Sequence, residues 1–184
     1  MATVAVIGLW PDPVILGVAR ILIDSEGTSV DAWRAIRPPF NSHSHWYLSQ
    51  PELRAHWVAT ALQGLGEFVA SGQRPVGVCA EVEGWLRVGH HNLEAAADVG
   101  AVWGAIGAFC HIYQFPFFAI KRKLVKEMLN TKFRAKSELL DAFKEHFDLP
   151  PLPVRKHRPA VLYATLAALG SLYKDEVLEA VKDV

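Results

Sequence analysis

The cationic residues are the part of this sequence whose type and spacing most directly indicate a chemistry, the binding of phosphate groups. Between residues 121 and 136 the chain has seven cations and a single acid, Glu127. The seven cations are Lys121, Arg122, Lys123, Lys126, Lys132, Arg134 and Lys136. A second basic run covers residues 155–158 and follows a proline-rich connector. Clustered cations are typical of nucleic-acid-binding surfaces, although a solvated helix face gives the same pattern.

The formal net charge of zero hides a division between the two halves of the chain. Residues 1–100 contain six arginines, no lysine and ten acidic residues, whereas residues 101–184 contain thirteen basic and nine acidic residues. The basic half favours a polyanionic partner, while the acidic half and the zero net charge favour a subunit that contacts only protein. The charge pattern is therefore compatible with a protein that binds a polyanion and with a subunit that contacts only protein.

The composition excludes several classes of protein. With 51% hydrophobic and 21% charged residues among 184, the chain is not disordered and has enough apolar side chains for one domain covering residues 1–184. Two cysteines are too few for a disulfide framework, which indicates a reducing, cytoplasmic compartment. No apolar stretch reaches about 18 residues and the first residues carry no basic segment, so we expect neither a membrane span nor a secretory signal.

The elements that would position these residues follow from hydrophobic patterning and from breakers. Apolar β-branched runs predict strands over residues 3–8, 14–23, 29–36, 75–80 and 115–120, with a turn at residues 10–13. Helices are predicted over residues 50–70, 92–112, 124–129, 136–147 and 157–173, with 175–181 as a possible extension. A strand meander followed by alternating helices and strands predicts an α/β fold, in which helices cover both faces of a mixed sheet.

Several residues, in order along nearly the whole chain, resemble the RuvC family of Holliday-junction resolvases, which have the ribonuclease-H-like fold. The run Val6-Ile7-Gly8-Leu9-Trp10-Pro11, followed by Gly17, is similar to the first strand and turn of that family. The run Val76-Gly77-Val78-Cys79-Ala80-Glu81 resembles the strand that ends in a catalytic glutamate. Asn92, Gly100 and Gly104 are similar to the start and glycines of the next family helix, and residues 125–147 resemble its basic loop and following helix.

The resemblance implies phosphodiester hydrolysis by two divalent metal ions, Mg²⁺ or Mn²⁺, held by a cluster of carboxylates. Glu81 matches one catalytic ligand. Trp10 stands where the family has its first-strand aspartate, and an indole N–H can only donate a hydrogen bond. His157 and Ala160 stand where the last helix has its final ligands, so His157 is a possible ligand and Ala160 supplies none.

A displaced metal site is the alternative to a degraded one. Asp12 lies two residues after Trp10, and Glu83 lies two residues after Glu81. A step of two residues along a strand returns to the same face about 6.6 Å away. That displacement is large for a metal site, where ligand distances are set to within tenths of an ångström. The residue pattern therefore favours a degraded site.

The resemblance also implies contacts with DNA and a homodimer. It assigns a backbone contact to Lys136, and it places Trp85 in the loop after the glutamate, where an indole could stack on a base. The other cations expected to contact DNA are Lys126, Lys132, Arg134, Arg155 and Arg158. Glycine is unfavourable inside a helix, so the glycines of the helix over residues 92–112 are explained if a sheet or a partner subunit packs closely against them.

Three hypotheses follow. The first is a catalytically inactive relative of the resolvases that binds branched or duplex DNA. The second is an active, Mg²⁺- or Mn²⁺-dependent structure-selective endonuclease with ligands drawn from Asp12, Glu81, Glu83 and His157. The third is an interaction subunit of a larger protein complex that has kept the fold without binding DNA.

Overall fold

The computed structural model describes residues 3–12, 14–38, 50–81, 93–121 and 136–182. Its strands are β1 (Val4–Asp12), β2 (Ile15–Asp24), β3 (Gly27–Ile36), β4 (Pro75–Glu81) and β5 (Phe117–Ile120). Its α-helices are α1 (Pro51–Ala70), α2 (Leu93–Ile112), α3 (Lys136–His146), α4 (Arg158–Leu169) and α5 (Asp175–Lys182). Two 3₁₀ turns, Arg155–His157 and Gly170–Tyr173, flank α4.

The five strands form one mixed sheet in the order β3-β2-β1-β4-β5. β1, β2 and β3 are antiparallel neighbours, while β4 pairs in parallel with β1, and β5 in parallel with β4. This arrangement confirms the predicted meander followed by parallel strands. The helix predicted over residues 124–129 lies outside the described residues.

The turn predicted at residues 10–13 is wrong in its position. β1 continues through Trp10 and Pro11 to Asp12, which pairs with Ile15 across the hairpin. Pro11 is tolerated because β1 and β4 have their last residue pair at Leu9 and Ala80, so the missing N–H costs no hydrogen bond to β4. The chain therefore reverses direction between Asp12 and Ile15, and Trp10 becomes a strand residue.

Helices cover both faces of the sheet, as predicted. On one face, Ile7 and Leu9 of β1 pack with Trp57 and Leu65 of α1 and with Ile106 of α2. On the other face, α3, α4 and α5 cover the strand residues that alternate with those of the first core. That second core includes Val6 and Cys79 of the sheet, Phe143 of α3, Leu166 of α4 and Val177 of α5. Within the described ranges, none of the helices is both long and apolar enough to cross a bilayer.

Helix α4 lies directly on the first two strands because two glycines leave space for its backbone. A Cβ added at Gly8 would lie 1.9 Å from the Ala164 carbonyl oxygen, and one added at Gly17 would lie 2.2 Å from the Ala160 oxygen. The start of α4 is thus above Gly17, at the end of β1, and its later turns pass over Gly8. Helix α4 therefore runs antiparallel to β1, with its amino terminus at the carboxyl end of that strand.

Candidate functional site

The predicted site residues gather at one edge of the sheet because of strand direction. β1, β3, β4 and β5 all point the same way, so all four end at this edge. The amino terminus of α4 lies at the same edge. The carboxyl ends of parallel strands commonly form the ligand-binding edge of an α/β sheet.

Trp10 and Glu81 are neighbours on adjacent strands. Their register follows from the pair Leu9 and Ala80, one residue earlier in each strand, and both side chains point to the face covered by α4. The Glu81 side chain is 2% exposed. The Trp10 ring lies against Tyr163 of α4, with ring centroids 5.5 Å apart and planes 30° apart. An aromatic pair therefore joins β1 to α4 beside the buried carboxylate.

The start of α4 brings His157 and Ala160 to the same edge. Ala160 is buried against Gly17, the residue that pairs with Trp10. Desolvation lowers the pKa of His157, and the positive charges of Arg37 and Lys156 lower it further. The imidazole is therefore neutral near pH 7. A neutral imidazole can bind a metal, but these two cations disfavour a cation beside it.

The described residues at this edge do not fit a two-metal carboxylate site. The Asp12 carboxylate accepts a hydrogen bond from the Val14 N–H at 3.1 Å, within the hairpin turn. In the portion of the chain that the structure describes, no three His, Cys, Asp or Glu side chains are close enough to hold a metal ion. Trp10 and Ala160 occupy two positions where the resemblance requires oxygen ligands. Glu83 lies outside the described residues.

Cations surround the amino terminus of α4. Arg155 and Lys156 are exposed in the preceding turn. Arg158 is half-buried and donates a hydrogen bond from Nε to the Pro153 carbonyl oxygen at 3.2 Å. Lys121 is exposed directly after β5, at the same edge. A helix amino terminus carries a partial positive charge, so it and these side chains together favour an anionic ligand.

The fold can be compared with solved structures. Thermus thermophilus RuvC in complex with a Holliday junction substrate matches with a TM-score of 0.66 and 19% identity, over 95% of this chain and 96% of that one. A second Thermus thermophilus RuvC structure matches with a TM-score of 0.63 and 18% identity, over 96% of this chain and 97% of that one. The yeast mitochondrial Holliday junction resolvase Ydc2 matches with a TM-score of 0.62 and 13% identity, over 97% of this chain and 80% of that one.

The chain has the RuvC fold. The structures thus confirm the predicted resemblance at the level of the fold, since identities below 25% support the fold alone. No family model matches the sequence, and no curated protein matches it.

Some of the residues predicted from the RuvC resemblance lie outside the described residues. These residues are Trp85, Lys126, Lys132 and Arg134. The backbone of Lys136 begins α3, but the position of its side chain is not described. The structure brings Trp10, Asp12, Glu81, His157 and Ala160 to one edge of the RuvC fold, with Arg155 and Arg158 beside them.

Two residues at this edge, Tyr163 and Arg37, were not predicted from the sequence. Tyr163 follows Ala160 by three residues, so it lies on the same side of α4, and a tyrosine at this spacing in a mostly apolar helix was a usable signal. Arg37 follows the last residue of β3, where a cation at a strand end could have been noted. Local spacing could not reveal that Tyr163 contacts Trp10 or that Arg37 acts on His157, because each interaction joins residues more than a hundred positions apart.

Proposed function

We propose that this protein binds DNA, branched or duplex, without hydrolysing it. The observation that carries the proposal is the Trp10–Tyr163 pair beside Glu81, where two-metal hydrolysis would need a second carboxylate. One structure with the same fold contains a Holliday junction substrate. The cations at the start of α4 support DNA as the ligand, since they would neutralise phosphates at the edge of the sheet.

The direct test measures binding and cleavage together on a synthetic four-way junction. We expect the purified protein to bind the junction, and to leave every strand intact with either Mg²⁺ or Mn²⁺. Cleavage that disappears in Glu81→Gln would instead establish an endonuclease with rearranged ligands, drawn from Asp12, Glu81, Glu83 and His157. A folded protein without affinity for any DNA, recovered in a protein complex, would support the interaction-subunit hypothesis and overturn the proposal.

We assign part of the phosphate contacts to the basic segment, residues 121–136. Changing Lys132, Arg134 and Lys136 together to Gln should reduce the slope of log K against log salt by about 2.7, since each B-DNA phosphate contact contributes about 0.9. The affinity should fall similarly for different sequences, because phosphate contacts carry no base information. Fluorescence anisotropy with a labelled junction at several salt concentrations measures both quantities.

A matched triple variant controls for the change in net charge. Arg74, Lys144 and Lys182 are exposed cations outside the basic segment, and their change to Gln removes the same charge. We expect this control to keep the wild-type slope. If the salt slope falls by the same amount in both triple variants, the assignment of phosphate contacts to the basic segment is wrong.

We also propose a homodimer. A Cβ added at Gly100, Gly104 or Gly107 of α2 would meet no described atom within 4 Å, so the sheet is not what approaches these glycines. A partner subunit is the remaining explanation of the two that the sequence suggested. Sedimentation equilibrium should give twice the chain mass of 20.4 kDa, and a monomer at all concentrations would contradict the proposal.

A further inference from the structure

A polar cleft of about 290 Å³ lies between β3 and α1, on the face of the sheet opposite α4. Its polar lining residues are Arg34, Arg37, Thr60, Gln63 and Glu67. Among the described residues, Arg34, Arg37 and Gln63 thus line one small volume together with the Glu67 carboxylate, while Thr60 donates its hydroxyl to the His56 carbonyl oxygen at 2.9 Å. This composition suits an anion that can accept several hydrogen bonds.

Arg34 is already held in position at the wall of the cleft. Its Nη2 donates to Glu67 Oε2 at 2.7 Å and its Nη1 donates to the Gly64 carbonyl oxygen at 3.4 Å. Gln63 donates to the other Glu67 oxygen at 3.0 Å. The hydrogen bonds from Arg34 and Gln63 lower the pKa of Glu67. The Arg34 side chain is still 42% exposed, so an incoming ligand can reach a guanidinium that loses little freedom on binding.

Arg37 connects this cleft with the candidate site. It follows the end of β3, at the edge that holds the amino terminus of α4. It lines the cleft, and its charge also acts on His157 at the start of α4. Among the described residues, no carboxylate forms an ion pair with Arg37. An extended polyanion crossing the end of β3 would therefore meet the cations before α4, then Arg37, then Arg34.

We propose that Arg37 and Arg34 bind a phosphate of the DNA backbone in this cleft, extending the DNA path from α4 across the end of β3 to α1. The inference rests on the proposed DNA-binding function. A guanidinium presents a planar pair of donors that matches two phosphate oxygens, so arginine is favoured where a phosphate is held at a defined position. The chemistry assigned to the cleft is thus a phosphodiester.

The test compares Arg37→Gln with Arg74→Gln. Arg74 precedes β4, at the opposite edge of the sheet, and its loss changes the net charge equally. We expect Arg37→Gln to reduce the salt slope of junction binding by about 0.9, so its deficit in affinity shrinks about 3.5-fold between roughly 50 and 200 mM salt. Arg74→Gln should keep the wild-type slope. Glu67→Gln removes the negative charge among the described lining residues and keeps an amide oxygen that can accept from Arg34, so it should tighten binding.

Three outcomes would overturn the inference. If the wild-type protein binds DNA and the two arginine variants behave alike, the cleft makes no phosphate contact, although the proposed function stands. If the wild-type protein binds no DNA, both proposals fail. Inorganic phosphate at constant ionic strength separates the sources of the ligand, since a rise in Tm that depends on Arg37 without any effect on DNA binding would assign the cleft to free phosphate.

Discussion

Gly8→Ala is expected to lower the free energy of unfolding by about 3 kcal/mol or more, because the added methyl group overlaps the backbone of α4. The new Cβ would lie 1.9 Å from the Ala164 carbonyl oxygen and 2.6 Å from the Ala168 nitrogen. A change of rotamer cannot relieve a contact with backbone atoms, so α4 would have to move away from β1. Urea unfolding followed by circular dichroism measures the loss.

The controls separate this overlap from the general effect of replacing glycine. Gly17→Ala should cost a similar amount, since its Cβ would lie 2.2 Å from the Ala160 oxygen. Gly66→Ala adds the same methyl group within α1 at an ordinary contact distance, 3.7 Å from the Phe109 ring, and alanine is the better helix former, so it should not destabilise the chain. If Gly8→Ala and Gly66→Ala have equal stability, α4 does not pack on β1 as described.

Asp31→Asn is expected to lower the free energy of unfolding by about 3 kcal/mol, because it leaves the Arg20 charge buried without its counter-ion. Arg20 Nε lies 2.5 Å from Asp31 Oδ2, and the Arg20 side chain is only 8% exposed. Its guanidinium also lies over the Phe68 ring, 5.2 Å from the centroid, and against Gly72, so it has no free path to solvent. The measurement is again urea unfolding, repeated at low and high salt.

A second ion pair in the same part of the molecule provides the comparison. Arg34 and Glu67 are 2.7 Å apart, but their side chains are 42% and 49% exposed, so water and salt screen their attraction. Glu67→Gln should therefore lower stability much less than Asp31→Asn, and its effect should vanish at high salt. Equal losses in the two variants would show that burial does not determine the strength of the Arg20 pair.

The packing of α4 on β1 and β2 determines the surroundings of Trp10. Gly8 and Gly17 set the height of α4 above β1 and β2, and this height also brings Tyr163 against Trp10. Aromatic packing therefore occupies the position where the RuvC resemblance would place a carboxylate ligand. Under the proposed function, DNA binding through backbone phosphates needs the edge of the sheet and its cations, and no reacting metal.

The sequence by itself determined the strands, most helices and the layer order, because hydrophobic period and breakers are local properties. The apolar run over residues 3–8 already predicted a buried strand, and the structure confirms it by placing Val6 in one core and Ile7 in the other. At the two positions where the RuvC resemblance implies metal ligands, Trp10 and Ala160 supply no oxygen atom, and this follows from the sequence because side-chain chemistry does not depend on the fold.

The tertiary structure alone decided where β1 ends, what Trp10 touches, and which glycines are needed for packing. Asp12 pairs with Ile15, so strand pairing outweighs the local turn preference of residues 10–13. Gly8 accommodates a helix backbone, whereas a Cβ at Gly104 would meet no described atom of its own chain, although both are glycines within regular elements. The contacts of Trp10 with Tyr163 and the cleft at Arg34 and Arg37 join residues distant in sequence, and local periodicity carries no information about such pairs.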